Sequence, residues 1–235
     1  MKLWQYQNPS SNLSISKKNP LLAYLLSARG IDTDEKADIF LNPEKKDYLP
    51  FSIFKDAEKV IKRIKTAIEK NEKIIVYGDF DTDGVTSTAI LYKTFKKIGA
   101  DVDYYLPDRD EESHGLNNKA VLTLISKKKA KLIITVDCGV SNAAEVKLAK
   151  SFKTDVIITD HHEAPETLPS AFAIINPKAQ NALNENLTTK QIESLTSFAG
   201  VGVAFKLAQG LLKKYEKTEY IYDLLPFVAI GTFVR

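Results

Sequence analysis

The chain has 235 residues, 44% of them hydrophobic, and a formal net charge of +3. This size and composition allow a sizeable core in one large domain or two small ones. The single cysteine, Cys138, excludes an internal disulfide and suits a reducing cytoplasm, where we expect the protein to reside. No apolar run is long enough to span a membrane, and the small positive charge permits nucleic-acid binding without indicating it.

Residues 1–54 are predicted to form a small helical segment. One helix is expected to start near Pro20 and to end at Gly30, because proline favours helix starts and glycine favours helix ends. A second helix is expected to start near Asp32. Glu35, three residues further on, suggests a capping box there.

Residues 55–235 are predicted to form an α/β domain with a doubly wound, mainly parallel sheet. Short β-branched runs alternate with helical stretches, which is the pattern of a parallel sheet with helices on both faces. The predicted strands are residues 73–78, 101–106, 131–136, 155–159 and 171–175. The predicted helices are residues 55–71, 85–98, 116–127, 142–152 and 201–215.

Acidic residues follow three of the predicted strands directly. The first strand runs into Gly-Asp-Phe-Asp-Thr-Asp-Gly at 78–84, the third into Asp137, and the fourth into Asp-His-His at 160–162. The carboxyl ends of parallel strands lie on one edge of a sheet, so these side chains should converge. Because clustered carboxylates repel one another, a divalent cation would stabilise their ionised forms.

The types of ligand indicate which metal to expect. Carboxylates and imidazoles without clustered cysteines suit Mn²⁺ or Mg²⁺ better than structural zinc. A pair of such ions can bind a phosphate, generate hydroxide and stabilise a leaving oxygen. Taken singly, Asp137 could be a helix cap and residues 160–162 a polar turn. Their shared position at strand ends favours a metal site.

Two other motifs fit the sequence less well. The acidic stretch at 78–84 also resembles the start of an EF-hand loop, but Ile90 stands where that loop needs glutamate, and a strand precedes it instead of a helix. Gly200 and Gly202 lack the third glycine of a nucleotide-binding loop, so we interpret them as helix-packing positions.

The motifs, in this order, resemble the DHH phosphoesterase superfamily, which is named after the triad found here at 160–162. Within it, the sequence is most similar to the RecJ-like branch. The stretches that carry this similarity are LLAYLLSARGID (21–32), YGDFDTDGVTSTAIL (77–91), LPDRDEESHGLN (106–117), INPK (175–178) and FAGVGVAFKLAQ (198–209). Other branches place a histidine four residues before the first metal-binding aspartate, where this chain has Tyr77.

The resemblance implies a centre for two ions of Mn²⁺ or Mg²⁺. The implied metal ligands are Asp79, Asp81, Asp83, Asp137 and His161. Of these, Asp137 would bridge both ions and His161 would bind the second. Asp79 would be either a ligand or a hydrogen-bond partner of one.

The resemblance also implies which residues act on the substrate. His162 would contact the scissile phosphate and Asp160 would orient the histidines, so that these two residues and Asp137 form the implied catalytic set. The residues implied to hold the DNA phosphate are Arg109, Ser113, His114 and Gly115. The family more often has Gly-Tyr in place of Ser113-His114, which leaves base stacking by this loop open.

The implied activity is hydrolysis of single-stranded DNA from its 5′ end, in DNA repair and recombination. A helicase or a single-strand-binding protein is a candidate partner. Two alternatives stay open, namely a non-catalytic remnant that keeps the fold and a phosphodiesterase that acts on small nucleotides. Tyr77 argues against the second alternative.

The last residues depart from the family pattern. Residues 231–235 match a Gly-Thr-x-x-Asp motif of the family, but Arg235 stands where the family has a metal-binding aspartate. We also expect the second domain, with which family members grip DNA, to be absent from this chain. We therefore expect the core to be incomplete at its C-terminus and this chain alone to be inactive or weakly active.

Overall fold

A computed structural model describes residues 13–42, 49–110, 112 and 114–234. Ser113 and Arg235, which both carry predicted roles, lie outside these residues. The chain divides into two units, Met1–Leu49 and Pro50–Arg235.

The first unit contains helices α1 (Pro20–Ser27) and α2 (Asp34–Leu41). Thr33 caps α2, since its hydroxyl accepts the backbone N–H three residues further on at 3.3 Å. The N-cap is therefore Thr33 and not Asp32, and the capping box predicted at Asp32 and Glu35 is wrong, because threonine is also a good cap and stands one residue closer to the helix. Buried side chains that pack together here are Leu13, Leu26 and Ala37.

The second unit is built on a parallel sheet of five strands in the order β2-β1-β3-β4-β5. The strands are β1 (Ile74–Tyr77), β2 (Val102–Tyr105), β3 (Leu132–Val136), β4 (Asp155–Thr159) and β5 (Ala173–Ile175). Every residue of β1 and β3 is buried, as expected for central strands covered on both faces. The predicted α/β fold with a doubly wound, parallel sheet is confirmed.

Seven α-helices are described in this second unit. They are α3 (Ala57–Glu69), α4 (Thr82–Lys97), α5 (Asn118–Ser126), α6 (Ala143–Ser151), α7 (Thr189–Thr196), α8 (Gly200–Lys214) and α9 (Leu225–Phe233). In the described part of the chain, no single helix is long and apolar enough to cross a membrane. Helices α7 and α8 reach that length and composition only as a pair bent by 112°.

The helices cover the sheet from two sides. Ile75 and Tyr77 of β1 belong to one buried cluster with residues of α5 and α6, such as Val121 and Val146. Because side chains alternate along a strand, Ile74 and the other intervening residues face the opposite side. On that second side α4 contacts β1 and β3, α8 contacts β3 and β4, and the two helices pack on each other.

The register of the sheet aligns the strand ends. Tyr77 at the end of β1 pairs with Thr135 of β3, and Val136 at the end of β3 pairs with Thr159 at the end of β4. The residues that follow these three strands therefore emerge at nearly the same level of one sheet edge.

Candidate metal centre

The acidic motifs lie where this type of sheet usually binds ligands. The chain places β2 on one side of β1 and places β3, β4 and β5 on the other. The strand order thus reverses between β1 and β3, and a crevice forms beyond the carboxyl ends of the strands at such a point. Residues 79–83 follow β1 and Asp137 follows β3, so they border this crevice.

Asp83 is held by the start of helix α8. The aspartate is 7% exposed and lies in the first turn of α4. Its Oδ2 accepts the backbone N–H of Gly200 and its Oδ1 that of Val201, both at 2.7 Å. A helix start favours a negative charge because its first N–H groups have no partner within the helix. The carboxylate of Asp83 is therefore fixed by a segment more than a hundred residues away.

Gly200 also contacts the candidate centre directly. A Cβ atom at this position would lie 2.4 Å from Oδ1 of Asp137, which is too close for any side chain. The helix start consequently packs against both Asp83 and Asp137. The interpretation of Gly200 as a plain helix-packing position missed this role, although the similarity of residues 198–209 to the RecJ-like branch was a signal of it.

Asp137 is the most unusual carboxylate of the group. It is 2% exposed, and its backbone has a positive φ of 59°. Its Oδ1 lies 3.1 Å from Nε2 of His161, and that nitrogen lies 3.7 Å from Oδ2 of Asp83. The first contact is an ion-pair approach only, because Oδ1 accepts no hydrogen bond from any described residue.

The electrostatic consequence is a carboxyl group that resists ionisation. Burial raises the pKa of Asp137 to about 9, and the negative charges of Asp83 and Asp81 contribute to the increase. A buried charge without a partner is costly, so the group takes up a proton unless a cation compensates it. Such an oxygen is suited to bind a metal ion.

Asp160 is held very differently. Its Oδ1 accepts the backbone N–H of His161 at 2.7 Å and that of His162 at 3.1 Å, and its Oδ2 accepts that of Val140 at 2.9 Å. Nδ1 of His162 lies 2.7 Å from the same Oδ1. Burial by itself would raise the pKa of Asp160, but these hydrogen bonds outweigh it and lower the pKa. The bond to Asp160 in turn raises the pKa of His162, whose side chain is 56% exposed.

The donor atoms present fit a divalent cation. Asp137, His161 and His162 each offer one ligand atom, and these atoms lie within 4.8 Å of one another. One carboxylate oxygen in this group lacks a hydrogen-bond partner among the described residues. Carboxylate oxygens suit Mg²⁺ and Mn²⁺, and imidazole nitrogens commonly bind transition-metal ions. Asp83 borders this group through its approach to His161.

Asp79 and Asp81 have local partners on the strand-to-helix turn. Asp81 is the N-cap of α4, and its Oδ1 accepts the N–H of Gly84 at 2.9 Å. Asp79 is 5% exposed and accepts the N–H of Phe80 at 2.7 Å. A Cβ at Gly84 would lie 2.5 Å from the carbonyl oxygen of Asp79, so only glycine lets the turn close this tightly.

Two of the residues predicted to hold DNA phosphate lie against Asp79 or the adjacent Phe80. Nδ1 of His114 is 3.0 Å from Oδ2 of Asp79, and the His114 ring packs on Phe80 with centroids 4.2 Å apart. Cζ of Arg109 lies 5.8 Å from the centroid of the same Phe80 ring. Phe80 was not singled out from the sequence, yet it is the surface that Arg109 and His114 share.

Gly115 and Tyr77 connect this region to the core. The hydroxyl of Tyr77 donates to the carbonyl oxygen of Gly115 at 3.0 Å, and the tyrosine itself is fully buried. Tyr77 thus packs beneath the substrate loop as a core residue, at the position where other branches of the family have histidine.

The family model described as "DHH family, N-terminal domain" matches residues 73–232 of this chain. The chain belongs to the DHH family. This DHH protein is 43% identical over 97% of its length to the single-stranded-DNA-specific exonuclease RecJ of Bacillus subtilis. It is 36% identical over 91% of its length to the protein of that name from Escherichia coli. The resemblance inferred from the motifs is confirmed.

Solved DHH structures agree with the sequence relatives. A crystal structure of exonuclease RecJ bound to manganese matches 79% of this chain and 44% of its own, with a TM-score of 0.65 and 31% identity. RecJ from Thermus thermophilus in complex with Mn²⁺ matches 89% of this chain and 27% of its own, with a TM-score of 0.66 and 28% identity. The chain spans 28% of the Bacillus subtilis relative and 36% of the Escherichia coli relative.

Proposed function

We propose that the protein hydrolyses single-stranded DNA from the 5′ end and that residues 1–235 supply its metal-binding core. The carrying observation is the buried Oδ1 of Asp137, which has no hydrogen-bond partner among the described residues and lies 3.1 Å from His161. The names of the DHH relatives at 43% and 36% identity support single-stranded DNA as the substrate.

We propose that the centre holds two ions of Mn²⁺ or Mg²⁺. Manganese in two solved RecJ structures supports this choice for the present chain. The proposed ligands are Asp79, Asp81, Asp83, Asp137 and His161. When bound, such ions polarise a phosphoryl oxygen and lower the pKa of water. The N–H groups of α8 that bind Asp83 keep one carboxylate in place before any ion arrives.

The protein's own side chains then act on the phosphate. Asp160 holds Nδ1 of His162, which leaves Nε2 of the exposed ring for a phosphate oxygen. Because the pKa of His162 is raised by Asp160, the ring carries positive charge over a wider pH range than a free histidine. Arg109 and His114, with Ser113 and Gly115 in the same loop, are proposed to hold the DNA phosphate beside Phe80.

We propose a setting in DNA repair and recombination in the cytoplasm, with a helicase or a single-strand-binding protein as partner. The similarity to the RecJ-like branch supports this proposal. We also propose a helical segment over residues 1–54 and a catalytic core over residues 55–235, on the strength of the change from helical to alternating patterns.

The test is a nuclease assay under single-turnover conditions, with protein in excess so that weak activity is detected. The substrates are a labelled single strand, the matching duplex, a dinucleotide and pyrophosphate, each with Mn²⁺. We expect mononucleotide release from the single strand, its loss in Asp137→Asn, and its retention in Asp223→Asn, since Asp223 is an exposed aspartate of the 3-10 helix before α9.

Three results would count against the proposal. These are cleavage of the dinucleotide or pyrophosphate alone, equal cleavage by Asp137→Asn, and no hydrolysis of any substrate either by this chain or by a version extended by the second domain with which family members grip DNA. The first would favour the alternative of a phosphodiesterase for small nucleotides, and the last would favour a non-catalytic remnant.

A further inference from the structure

One carboxylate, that of Glu112, ties three segments together beside the candidate centre. The hydroxyl of Tyr105, at the end of β2, lies 2.9 and 2.7 Å from its two oxygens. The side-chain amide of Asn117 donates to its Oε1 at 2.8 Å, and the backbone N–H of Asp108 donates to its Oε2 at 3.0 Å. A strand end, a loop and a helix cap therefore converge on this single side chain.

The partners of Glu112 are themselves fixed to the rest of the fold. Asn117 is the N-cap of α5, and its Oδ1 accepts the N–H of Ala120 at 2.7 Å. The ring of Tyr105 stacks on that of Tyr77 at 5.2 Å between centroids. Tyr77 in turn holds the carbonyl oxygen of Gly115. The loop is thus attached to the core on both sides of Arg109.

A negative charge at this position needs an explanation. Glu112 lies in the same loop as Arg109 and His114, where an anionic substrate would be repelled by a carboxylate. Burial would raise the pKa of Glu112, but the hydrogen bonds from Asp108, Tyr105 and Asn117 outweigh it and lower the pKa. The carboxylate is therefore ionised at neutral pH, and both of its oxygens accept hydrogen bonds. We call Glu112 an anchor because these bonds fix the loop to its neighbours.

We propose that Glu112 is a positioning residue that sets the affinity for the phosphate end of the DNA, because it holds Arg109 and His114 over Phe80 beside Asp79. The proposal rests on the function proposed above, which assigns Arg109 and His114 to the phosphate. Glu112 itself does not touch the substrate.

The first test compares two charge-removing changes in the same loop. Glu112→Gln places an amide N–H₂ against either the N–H of Asp108 or the side-chain amide of Asn117, and we expect about tenfold weaker binding of a 5′-phosphorylated single strand. Asp110→Asn is the matched control, since Asp110 is exposed and its side chain is not among the partners of Glu112. The control removes one negative charge and should bind the strand equally well or more tightly. Mn²⁺ affinity should stay the same in both variants.

The second test does not depend on DNA. Amide hydrogen exchange should show faster exchange at Asp108 or at Ala120, whose N–H is held by Asn117, in Glu112→Gln, a smaller increase in Tyr105→Phe, and no change in Asp110→Asn. Tyr105→Phe removes one donor to the anchor while keeping the ring, so it serves if the glutamine variant does not fold.

The outcomes separate the two proposals. Faster exchange at Asp108 in a chain that binds no DNA would support the anchor and count against the proposed function. Unchanged exchange at both Asp108 and Ala120, or tighter DNA binding by Glu112→Gln, would overturn the positioning role of Glu112 even if the nuclease assay succeeds.

Discussion

Asp137 and Asp160 follow adjacent parallel strands and are almost equally buried, at 2% and 1% exposed, yet their electrostatic states are opposite. Asp160 accepts three backbone N–H groups and contacts His162, and its pKa is lowered. Asp137 has an oxygen without a hydrogen-bond partner among the described residues, and its pKa is raised to about 9.

The difference shows that two similar residues at one sheet edge have different roles, one structural and one in binding metal. The protein itself compensates the charge of Asp160, which can therefore fix the backbone and ring of His162. The charge of His162 offsets that of Asp137 only in part, and Oδ1 of Asp137 accepts no hydrogen bond from the described residues, so Asp137 requires a proton or an added cation. The first aspartate supports the site and the second is poised to bind metal.

The largest effect should come from Asp160→Asn. The amide group cannot satisfy the N–H donors of His161, His162 and Val140 together, and the buried network loses its charge. We expect the free energy of unfolding of the metal-free chain to fall by about 3 kcal/mol. Urea denaturation measures this loss, and a change below about 0.5 kcal/mol, typical of surface positions, would show that Asp160 is not a structural charge.

Asp137→Asn should have the reverse pattern. We expect Mn²⁺ affinity to fall by more than about 100-fold, the upper range for losing even an outer partner of a metal ligand. Metal-free stability should not fall at neutral pH, because the change removes a carboxyl group that resists ionisation. Calorimetric titration with Mn²⁺ measures the first quantity and urea denaturation the second. Loss of stability equal to that of Asp160→Asn would erase the distinction between the two residues.

Stability of the metal-free chain should also depend on pH through Asp137. The folded pKa of Asp137, about 9, exceeds the ordinary value of 3.8. The contribution of this group to the free energy of unfolding is therefore fully present below pH 3.8 and is lost as the pH rises through 9. The slope for one such group is at most about 1.4 kcal/mol per pH unit. Denaturation between pH 6 and 9 should show a shallower decline in Asp137→Asn than in the parent chain, and identical slopes would contradict the raised pKa.

A smaller effect is expected where α8 meets Asp137. Gly200→Ala would put a Cβ 2.4 Å from Oδ1 of Asp137, so we expect a loss of about 1–2 kcal/mol and weaker Mn²⁺ binding. Gly202→Ala is the control, since its Cβ would meet only the Phe198 side chain, at 3.1 Å or more. Denaturation and Mn²⁺ titration of both variants measure the difference. Equal stability and equal Mn²⁺ affinity of the two variants would show that the start of α8 does not shape the site.

The sheet edge could be predicted from the sequence because its signals are local. Apolar β-branched runs such as residues 131–136 mark buried strands, and the acid after each run is visible directly. The start of α4 was harder to predict. It was predicted at Val85 but lies at Thr82, because the Asp81 side chain caps the helix and brings Asp83 and Gly84 into its first turn.

The remaining features depend on contacts between distant segments. The N–H groups of Gly200 and Val201 donate to Asp83 from a distant part of the sequence, and no pattern near residue 83 predicts these bonds. Asp137 has a positive φ of 59°, which no pattern in the sequence around it predicts. Chain packing decides which carboxylate is satisfied and which is not.

The central claim is that Asp137 exchanges a proton for a metal ion, and proton release on Mn²⁺ binding tests it most directly. Calorimetric titrations at pH 7 in two buffers of different ionisation enthalpy give the number of protons released. Because the pKa of Asp137 is raised to about 9, the parent chain should release about one proton more than Asp137→Asn, and its affinity should rise with pH up to that value. Equal proton release by the two chains, with affinity independent of pH, would contradict the account.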